Sequence, residues 1–358
     1  MTSPELQPLL QVPDGPTWEK IVNCFFGNFT SELGCANMET YSDYYVREIR
    51  RLQVGVAPGL ARLAARTHED LIHICEVLSK GRTRARQDIR KELLSYFATK
   101  DHLAVDRSID LTLRLWLLLN VRDSQLSVLL PEQPPLLWED SCSLETFIEA
   151  HFRRSTTKLG YRESRLDPSF TVANMVRVCD LRVRWTESID DHLRLDQRRR
   201  VLSIFPMKGF LVGQLNSAVV DGDGNKVSKV LPASLLQETV ITLNLLFPQW
   251  DSATQALLRQ DGQRFDSEAP FDGPRRQSLD EFSYWRDRLL ELHEEIYKAS
   301  PGTWGQLWRD RRNPHNWWTF WIVLLVIVPL TIVGTIASVV QSQAAVESLN
   351  LQRASVSG

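Results

Sequence analysis

The residues that come nearest to a catalytic pattern surround His192, in the sequence DDHLRLD. Three carboxylates, those of Asp190, Asp191 and Asp196, lie within four positions of this imidazole. A carboxylate that holds an imidazole in place supports general acid–base catalysis. No recognisable nucleophile accompanies the cluster, because the chain has no GxSxG element and no cysteine in a catalytic signature. The pattern therefore favours a structural or surface role for His192, and a hidden enzyme built on this cluster is the alternative.

Two further patterns imitate metal sites but lack the necessary ligands. The sequence DGDGN at Asp221–Asn225 resembles the start of a calcium-binding loop, which needs Gly at its sixth position and Glu at its twelfth. These positions hold Lys226 and Pro232, so the sequence predicts a hairpin turn instead. His68 and His73 are five residues apart and do not share a helix face, which predicts solvated helix positions. No GxGxxG follows a strand and no Walker loop occurs, so no cofactor is predicted.

Basic residues are concentrated in two stretches that would attract anions. The first comprises Arg82, Arg84, Arg86, Arg90 and Lys91, and the second comprises Arg182, Arg184, Arg194 and Arg198–Arg200. Helices followed by a hairpin are typical of winged-helix domains, which often bind nucleic acid. Acidic residues are interleaved with both stretches, and the formal net charge is −2. Solvated surface charge is therefore the favoured interpretation, followed by contact with anionic lipid headgroups, and nucleic acid is the least favoured partner.

The periodicity of apolar residues predicts a mainly α fold with a small antiparallel β element, an α+β class for which a winged-helix-like arrangement is one alternative. Helical spacing predicts helices around 18–29, 44–52, 60–81, 89–97, 105–121, 144–152, 233–247 and 279–299. Alternating residues predict strands at 181–185 and 201–205, with further strands at 210–220 and 226–231. Charged residues interrupt the very apolar run at 105–121, so a core helix is predicted there.

Shifts in composition divide the chain into successive segments. They are a flexible lead with short helices (1–59), a helical domain (60–130), a helix with a small β-sheet module (131–257), a linker (258–277), an amphipathic helix (278–300), a juxtamembrane segment (301–316), a transmembrane helix (317–340) and a short tail (341–358). The apolar stripe of helix 278–300 consists of Phe282, Trp285, Leu289, Leu292 and Ile296. Packing of this stripe on its own domain is favoured over pairing with another chain.

A membrane span is the sharpest prediction, at Trp317–Val340. These 24 residues contain no Asp, Glu, Lys or Arg. As a helix they would be about 36 Å long, against about 30 Å of hydrocarbon in a bilayer. The excess length is accommodated if Trp317, Trp318 and Trp321 lie at the level of the lipid headgroups. Pro329 lies near the middle of the span, where a membrane helix tolerates proline as a kink.

The flanking charges predict which side of the membrane the N-terminal part occupies. Arg309, Arg311 and Arg312 precede the span, whereas only Arg353 follows it closely. By the positive-inside rule, the N-terminal part is cytosolic. The five cysteines form no CxxC pair, which is typical of reduced thiols in the cytosol. The position of the span predicts tail-anchor-like insertion into an endomembrane, with the endoplasmic reticulum as the first candidate.

The C-terminal quarter resembles a large group of uncharacterised fungal single-pass membrane proteins. In that group a helix with the pattern FxxWxxxL precedes a DRR element and a WxTFW membrane entry. The corresponding residues here are Phe282, Trp285 and Leu289, then Asp310–Arg312, then Trp317–Trp321. The resemblance extends back to about residue 60. It implies membrane attachment and a fungal source, and it implies no activity. Pro329 departs from the aliphatic residue or threonine that the group would place there.

Together these patterns predict a single-pass membrane protein whose N-terminal part is a cytosolic interaction module and not an enzyme. The predicted partners are the lipid bilayer and other proteins, bound through the cytosolic domain or through helix 278–300. No catalytic, cofactor-binding or metal-binding residue is predicted. The residues predicted to anchor the chain or lie at the membrane interface are Arg309, Arg311, Arg312, Trp317, Trp318, Trp321 and Pro329.

Overall fold

The structure is a computed structural model that describes residues 7–27, 39–53, 63–121, 135–158, 160, 164–216, 229–263, 276, 278–298, 318 and 321–356. The chain divides into two compact units, one formed by residues 1–176 and 180–297 and the other by residues 177–179 and 298–358. We call the first unit the body and the second the C-terminal unit. The predicted segments 60–130 and 131–257 lie almost entirely within the body.

Helices make up most of the described chain. They are α1 (Gly15–Phe26), α2 (Glu39–Gln53), α3 (His68–Lys80), α4 (Arg86–Tyr96), α5 (His102–Leu117), α6 (Leu144–His151), α7 (Val172–Cys179), α8 (Lys208–Asn216), α9 (Ala233–Leu246), α10 (Ser252–Gln260), α11 (Arg286–Lys298) and α12 (Val328–Val356). Short polar side chains begin several of them, because an N-cap oxygen accepts a backbone N–H that has no partner within the helix. Thr67 and Asp70 form such a capping box at α3. The prediction of a mainly α fold with a small β element is confirmed.

The β element is a three-stranded sheet in the order β1-β3-β2, formed by β1 (Arg182–Trp185), β2 (Leu195–Asp196) and β3 (Val201–Ile204). Strands β2 and β3 form a short antiparallel hairpin, whereas β1 pairs with β3 in parallel. The strands predicted at 181–185 and 201–205 are therefore present, but the sheet is mixed. Alternation of side chains gives the inward face of a strand and carries no information about its direction.

Helix α8 occupies the start of the segment that was predicted as a strand at 210–220, so that prediction is wrong for the described residues. Phe210 on this helix contacts Phe26 and Tyr41, with ring centroids 5.5 and 5.8 Å apart. The helix is buried on nearly all sides, so its apolar residues show no helical stripe. A short apolar run of this kind does not distinguish a buried helix from a buried strand. The predicted strand at 226–231 and the turn at Asp221–Asn225 lie mostly or wholly outside the described residues.

Helix α5 is the core helix predicted at 105–121. Helices α3 and α4 both pack against it. Its Asp110 is buried, and one carboxylate oxygen of this residue accepts a hydrogen bond from Nη2 of Arg86 on α4 at 2.8 Å. A charged group can lie in a protein core only when a partner of opposite charge compensates for the lost water.

The predicted helix 278–300 consists of two pieces, a 3₁₀ turn at Leu279–Glu281 and helix α11. The predicted capping box of Ser278 and Glu281 is present, but it caps the short turn. Phe282 is extended, with φ −104° and ψ 138°, and separates the two pieces. The five residues of the predicted apolar stripe are all buried. The stripe therefore packs within the chain, as favoured from the sequence.

A carboxylate from another helix caps the start of α11. Glu238 of α9 accepts hydrogen bonds from the backbone nitrogens of Ser283, Tyr284 and Trp285 at 2.7, 2.7 and 2.6 Å. These amides have no acceptor within their own helix, and a negative charge at a helix N-terminus is also favoured by the helix dipole. Glu238 thereby fixes α11 against α9 within the body.

The C-terminal unit contains a long helix that begins with a π-helical turn at Val323–Ile327 and continues as α12 to Val356. The helix runs through most of the segment 341–358, which the sequence analysis assigned to a short tail. No glycine or proline occurs between Thr335 and Val356, and alanines at 344 and 345 favour helix, so nothing in the sequence ends the helix at 340.

Candidate functional site

His192, the centre of the candidate catalytic cluster, is fully buried in the body. Its Nδ1 accepts a hydrogen bond from the backbone nitrogen of Phe205 at 3.2 Å, and its Nε2 lies 2.8 Å from Oγ1 of Thr242. The Thr242 hydroxyl already donates to the carbonyl of Thr239 at 2.7 Å, so Thr242 accepts from Nε2–H of the imidazole. Both ring nitrogens of His192 therefore form hydrogen bonds within the chain, and these bonds require the neutral imidazole.

The surroundings of His192 keep it neutral. Burial, together with the guanidinium of Arg288, lowers the pKa of His192 to about 3. Arg288 lies over the ring of Trp285 at 5.0 Å and donates to the backbone carbonyls of Asp190 and His192. Protonation of His192 would place two positive charges close together in the core. A group that stays neutral across the physiological pH range is poorly suited to exchange protons with a substrate.

The acids beside His192 in the sequence bond elsewhere in the structure. Asp190 accepts from the hydroxyl of Ser188, and Asp191 pairs with Arg194 at 2.6 Å. Burial raises the pKa of Asp191, and the neighbouring Asp190 adds to this effect. His192 was predicted to have a structural or surface role, with catalysis as the alternative. Its hydrogen bonds on both ring nitrogens favour the structural role.

The two other histidines that were considered as ligands have different surroundings. The prediction that His68 is solvated is wrong, because His68 is fully buried and its Nδ1 lies 2.9 Å from the hydroxyl of Tyr45. His73 stacks on Tyr96 with ring centroids 3.8 Å apart. Within the described ranges, no group of three or more His, Cys, Asp or Glu side chains is placed to hold a metal ion.

Neighbouring acids form ion pairs with most of the first basic stretch and with half of the second. In the first stretch, the ion pairs are Arg84–Glu92, Arg86–Asp110, Arg90–Asp106, Arg90–Asp140 and Lys91–Asp88. In the second stretch, the ion pairs are Arg194–Asp191, Arg199–Asp196 and Arg200–Glu295. This pairing agrees with the interleaved acids of the sequence and reduces the positive charge that a phosphate backbone would meet.

The clearest functional feature is the apolar helix of the C-terminal unit. In the described part of the chain, one helix is long and apolar enough to cross a membrane, at Val323–Val346, with 24 residues and a mean hydropathy of 2.7. None of its apolar window is buried within the protein. An apolar surface of this length exposed on every side is unfavourable in water and suits the hydrocarbon core of a bilayer.

Three of the predicted anchor residues lie at or near this span. Trp318 is exposed and Trp321 is half-buried, and both precede the π turn. Pro329 follows the π turn, in which the amide of Val328 donates to the carbonyl of Val323 five residues earlier. This shift in hydrogen-bond register accommodates a residue that has no amide hydrogen. Arg309, Arg311, Arg312 and Trp317 lie outside the described residues.

A cavity of about 450 Å³ lies in the body, and no sequence pattern predicted it. Three segments form its walls: the middle of α2, the end of α5 with the turn that follows, and the residues after β1. Tyr44 holds two of these segments together, because its hydroxyl donates to the backbone carbonyl of Arg114 at 3.0 Å. Leu118, at the end of α5, has a left-handed backbone with φ 50°, a conformation that is strained for a leucine.

Charged side chains of both signs line this cavity. Glu48 is buried and pairs with Arg51 of the same helix, and Oε2 of Glu48 lies 3.5 Å from Nε of Arg114. Arg51 also reaches Glu187 at 2.7 Å, and Arg47 reaches the same carboxylate at 2.7 Å. No sequence motif indicates this arrangement, because the wall segments are separated by about 70 residues in each case.

No protein-family description, no curated protein and no solved structure matches this chain.

Proposed function

We propose that this protein is a single-pass membrane protein whose body is an interaction module held at a membrane surface. The observation that carries the proposal is the exposed apolar helix Val323–Val346. Its length of about 36 Å exceeds the roughly 30 Å of bilayer hydrocarbon. No ionisable residue interrupts it, so the segment anchors the chain and does not by itself form a transport path.

The proposed orientation places the body on the cytosolic side. The sequence favours it through Arg309, Arg311 and Arg312, which precede the span, in contrast to the single Arg353 that follows nearby. Trp317, Trp318 and Trp321 would then lie at the cytosolic headgroup level. The endoplasmic reticulum is the first membrane to examine, and the resemblance to fungal single-pass proteins makes a yeast the natural host for this test.

The polar side chains around His192 and in the two basic stretches form hydrogen bonds and ion pairs within the body, so they stabilise it as a scaffold whose surface can bind partners. His192 is neutral and has hydrogen bonds on both ring nitrogens. The ion pairs of the two basic stretches join helices and strands of the body to one another. The proposed partners are the bilayer itself and other proteins that bind the exposed faces of the body.

Membrane integration and orientation are tested together with the full-length chain expressed in yeast with a different epitope at each end. We expect the protein to remain in the membrane pellet after extraction with sodium carbonate. Protease added to sealed microsomes is expected to remove the N-terminal epitope and to leave the C-terminal epitope on a short protected fragment. A luminal protein of the same vesicles serves as the control for sealing. Release by carbonate would contradict the anchor, and protection of the N-terminal epitope would contradict the orientation.

A further inference from the structure

Two thiols meet where helix α1 packs against helix α3 in the body. The side chains of Cys24 on α1 and Cys75 on α3 are hydrogen-bonded to each other. The Cys24 thiol also donates to the backbone carbonyl of Ile72 at 3.7 Å, about one helical turn before Cys75. Both contacts place the sulfur of Cys24 against the same turn of α3. The pair lies in the body, so its chemistry does not depend on the membrane anchor.

Contacts on either side of Cys24 hold α1 in place. Lys20 is four residues before Cys24 and pairs with Glu69 of α3 at 3.5 Å. Residues four apart lie on the same side of a helix, so Lys20 and Cys24 both face α3. After Cys24, the carbonyl of Phe25 accepts a hydrogen bond from Nε1 of Trp116 at 3.1 Å. The folded body therefore keeps the two thiols together.

The two thiols differ in their access to solvent. Cys24 is half-buried, whereas Cys75 is buried. Burial raises the pKa of the Cys75 thiol, and its hydrogen bond with Cys24 adds to this effect. The thiolate is the form of cysteine that reacts with an oxidant, and an exposed sulfur is reached first. Cys24 is therefore the sulfur that an oxidant meets first, and Cys75 is the thiol next to it.

We propose that Cys24 and Cys75 form a reversible disulfide bond when the protein meets hydrogen peroxide. In the first step the sulfur of Cys24 attacks one oxygen of the peroxide, so that an S–O bond forms, the O–O bond breaks and one water leaves with the thiol proton. In the second step the sulfur of Cys75 attacks that of Cys24, so that the S–S bond forms, the S–O bond breaks and a second water leaves. The two thiols lose two electrons in total, and the peroxide is reduced to two waters.

The bond would join α1 to α3 covalently. A disulfide that closes a long loop restricts the unfolded chain and so stabilises the fold. Disulfides in cytosolic proteins are usually transient, because cellular reductants reverse them, and many of them sense oxidants. The Cys24–Cys75 pair therefore makes the stability of the body depend on the concentration of peroxide.

Peptide mapping of the full-length chain in detergent micelles tests the bond. The protein is treated with hydrogen peroxide, its free thiols are alkylated with N-ethylmaleimide, and it is digested without reductant by an endoproteinase that cleaves after glutamate. This cleavage separates Cys24, in residues 20–32, from Cys35, in residues 33–39. We expect mass spectrometry to find residues 20–32 joined to residues 70–76, which contain Cys75, and dithiothreitol to separate them. Absence of this linked pair, or a link from Cys24 to Cys35 in its place, would overturn the proposal.

Variants test the order of the two steps. Cys75→Ala leaves Cys24 without a neighbouring thiol, so the sulfenic acid on Cys24 is expected to react with dimedone severalfold more than in the unmodified protein. Cys142→Ser is the matched control, since Cys142 is half-buried like Cys24 and is not part of the pair. The Cys24–Cys75 bond is expected to form in this control as in the unmodified protein. Equal labelling of Cys24 by dimedone in the unmodified protein and in a folded Cys75→Ala variant would overturn the role of Cys75.

Thermal unfolding of the oxidised protein tests the consequence for stability and does not require Cys75→Ala to fold. Peroxide is expected to raise the midpoint of unfolding of the body by about 5 °C or more, and dithiothreitol is expected to reverse the rise. Cys24→Ser is the control and is expected to show no rise, because it removes the more exposed thiol. An unchanged midpoint in protein that carries the Cys24–Cys75 bond would contradict a stabilising cross-link.

Discussion

Helix α5 and the helix at Val323–Val346 both carry long apolar runs, and their surroundings are opposite. Eleven of the sixteen residues of α5 are buried in the body. None of the apolar window of Val323–Val346 is buried within the protein. Helix α5 carries Asp106, Arg107, Asp110 and Arg114, whereas the second helix carries no charged residue.

The difference shows what a charged residue means within an apolar helix. On α5, Asp110 pairs with Arg86 at 2.8 Å, so its charge is compensated by a neighbouring helix. A core helix has such neighbours on every side, and a lone membrane helix has only lipid. The lack of charged residues in Val323–Val346 is therefore what a helix surrounded by lipid requires, because lipid tails offer no partner of opposite charge. The charged residues on α5 indicate a helix surrounded by protein, where neighbouring helices provide such partners.

The strongest way to break this comparison is to place arginine in each helix. Leu111→Arg puts an unpaired charge at a fully buried position of α5 and is expected to destabilise the body by about 4 kcal/mol or more. Val326→Arg with Leu330→Arg is expected to cost about 5 to 7 kcal/mol of membrane insertion and to leave the body folded. Urea unfolding followed by near-ultraviolet circular dichroism measures the first effect, and carbonate extraction measures the second.

Leucine-to-methionine changes at 111 and 330 are the matched controls, because methionine preserves the apolar volume. Both controls are expected to behave like the unmodified protein. Full membrane integration of the double-arginine variant would mean that residues outside Val323–Val346 anchor the chain. A stable Leu111→Arg variant would mean that α5 has access to water.

The second test sharpens the role of the paired charges on α5. Arg86→Met leaves Asp110 buried without its cation and removes the donor to the carbonyl of Trp138, so a loss of about 3 to 5 kcal/mol in unfolding free energy is expected. Burial already raises the pKa of Asp110, so part of this loss is relieved by protonation of the carboxyl. Urea denaturation of the single variants and of Arg86→Met with Asp110→Leu forms a double-mutant cycle. Additive effects in that cycle would contradict a direct ion pair.

Much of the fold was predictable where local pattern decides the outcome. The span followed from its length and lack of charge, and β1 and β3 followed from alternation of side chains. The buried stripe from Phe282 to Ile296 followed from its spacing. Helix α8 and the parallel pairing of β1 with β3 did not follow, because distant contacts such as Phe26 with Phe210 determine them.

The candidate sites were less predictable, because their partners are far away in the sequence. His192 bonds to Thr242 and lies beside Arg288, and neither residue is near the sequence DDHLRLD. The cavity brings Glu48, Arg114 and Glu187 together from three separate segments. Asp190 and Asp191 are the nearest acids to His192 in the sequence. In the folded chain, Asp190 accepts a hydrogen bond from Ser188 and Asp191 pairs with Arg194.

A third test measures stability at low pH. The body contains ionisable side chains, whereas Val323–Val346 contains none. Burial lowers the pKa values of His68, His192 and His293, that of His192 to about 3. These histidines are neutral in the folded body but bind protons in the unfolded chain below a pH of about 6.5. Stability is therefore greatest above that pH and falls as the pH decreases, by ~1.4 kcal/mol per pH unit for each proton. For His192 this window extends from about 6.5 down to about 3.

Urea unfolding at a series of pH values measures this slope. His192→Asn is expected to reduce the slope by about one proton. His102→Asn is the control, since His102 is exposed and its removal is expected to leave the slope unchanged. Helical structure within residues 323–346 is expected to persist at acid pH, because the segment has no ionisable side chain. A slope that His192→Asn does not change would contradict a buried neutral His192.

The smallest effect concerns the inside of the span, at Pro329. The ring of a proline clashes with the carbonyl four residues earlier, and the π turn at Val323–Ile327 relieves that clash by shifting the hydrogen-bond register. Pro329→Ala restores an amide donor, so the turn is expected to become α-helical with a change of less than about 1 kcal/mol in insertion. Through-hydrogen-bond NMR couplings in micelles are expected to show the Val328 amide moving from the carbonyl of Val323 to that of Leu324.

Thr331→Val is the control, because it removes only the side-chain bond to the Val328 carbonyl at 2.8 Å and leaves the proline in place. If the Val328 amide still bonds to Val323 in Pro329→Ala, the π turn does not originate from the proline. The span would then differ from an ordinary membrane helix for a reason that lies elsewhere in its sequence.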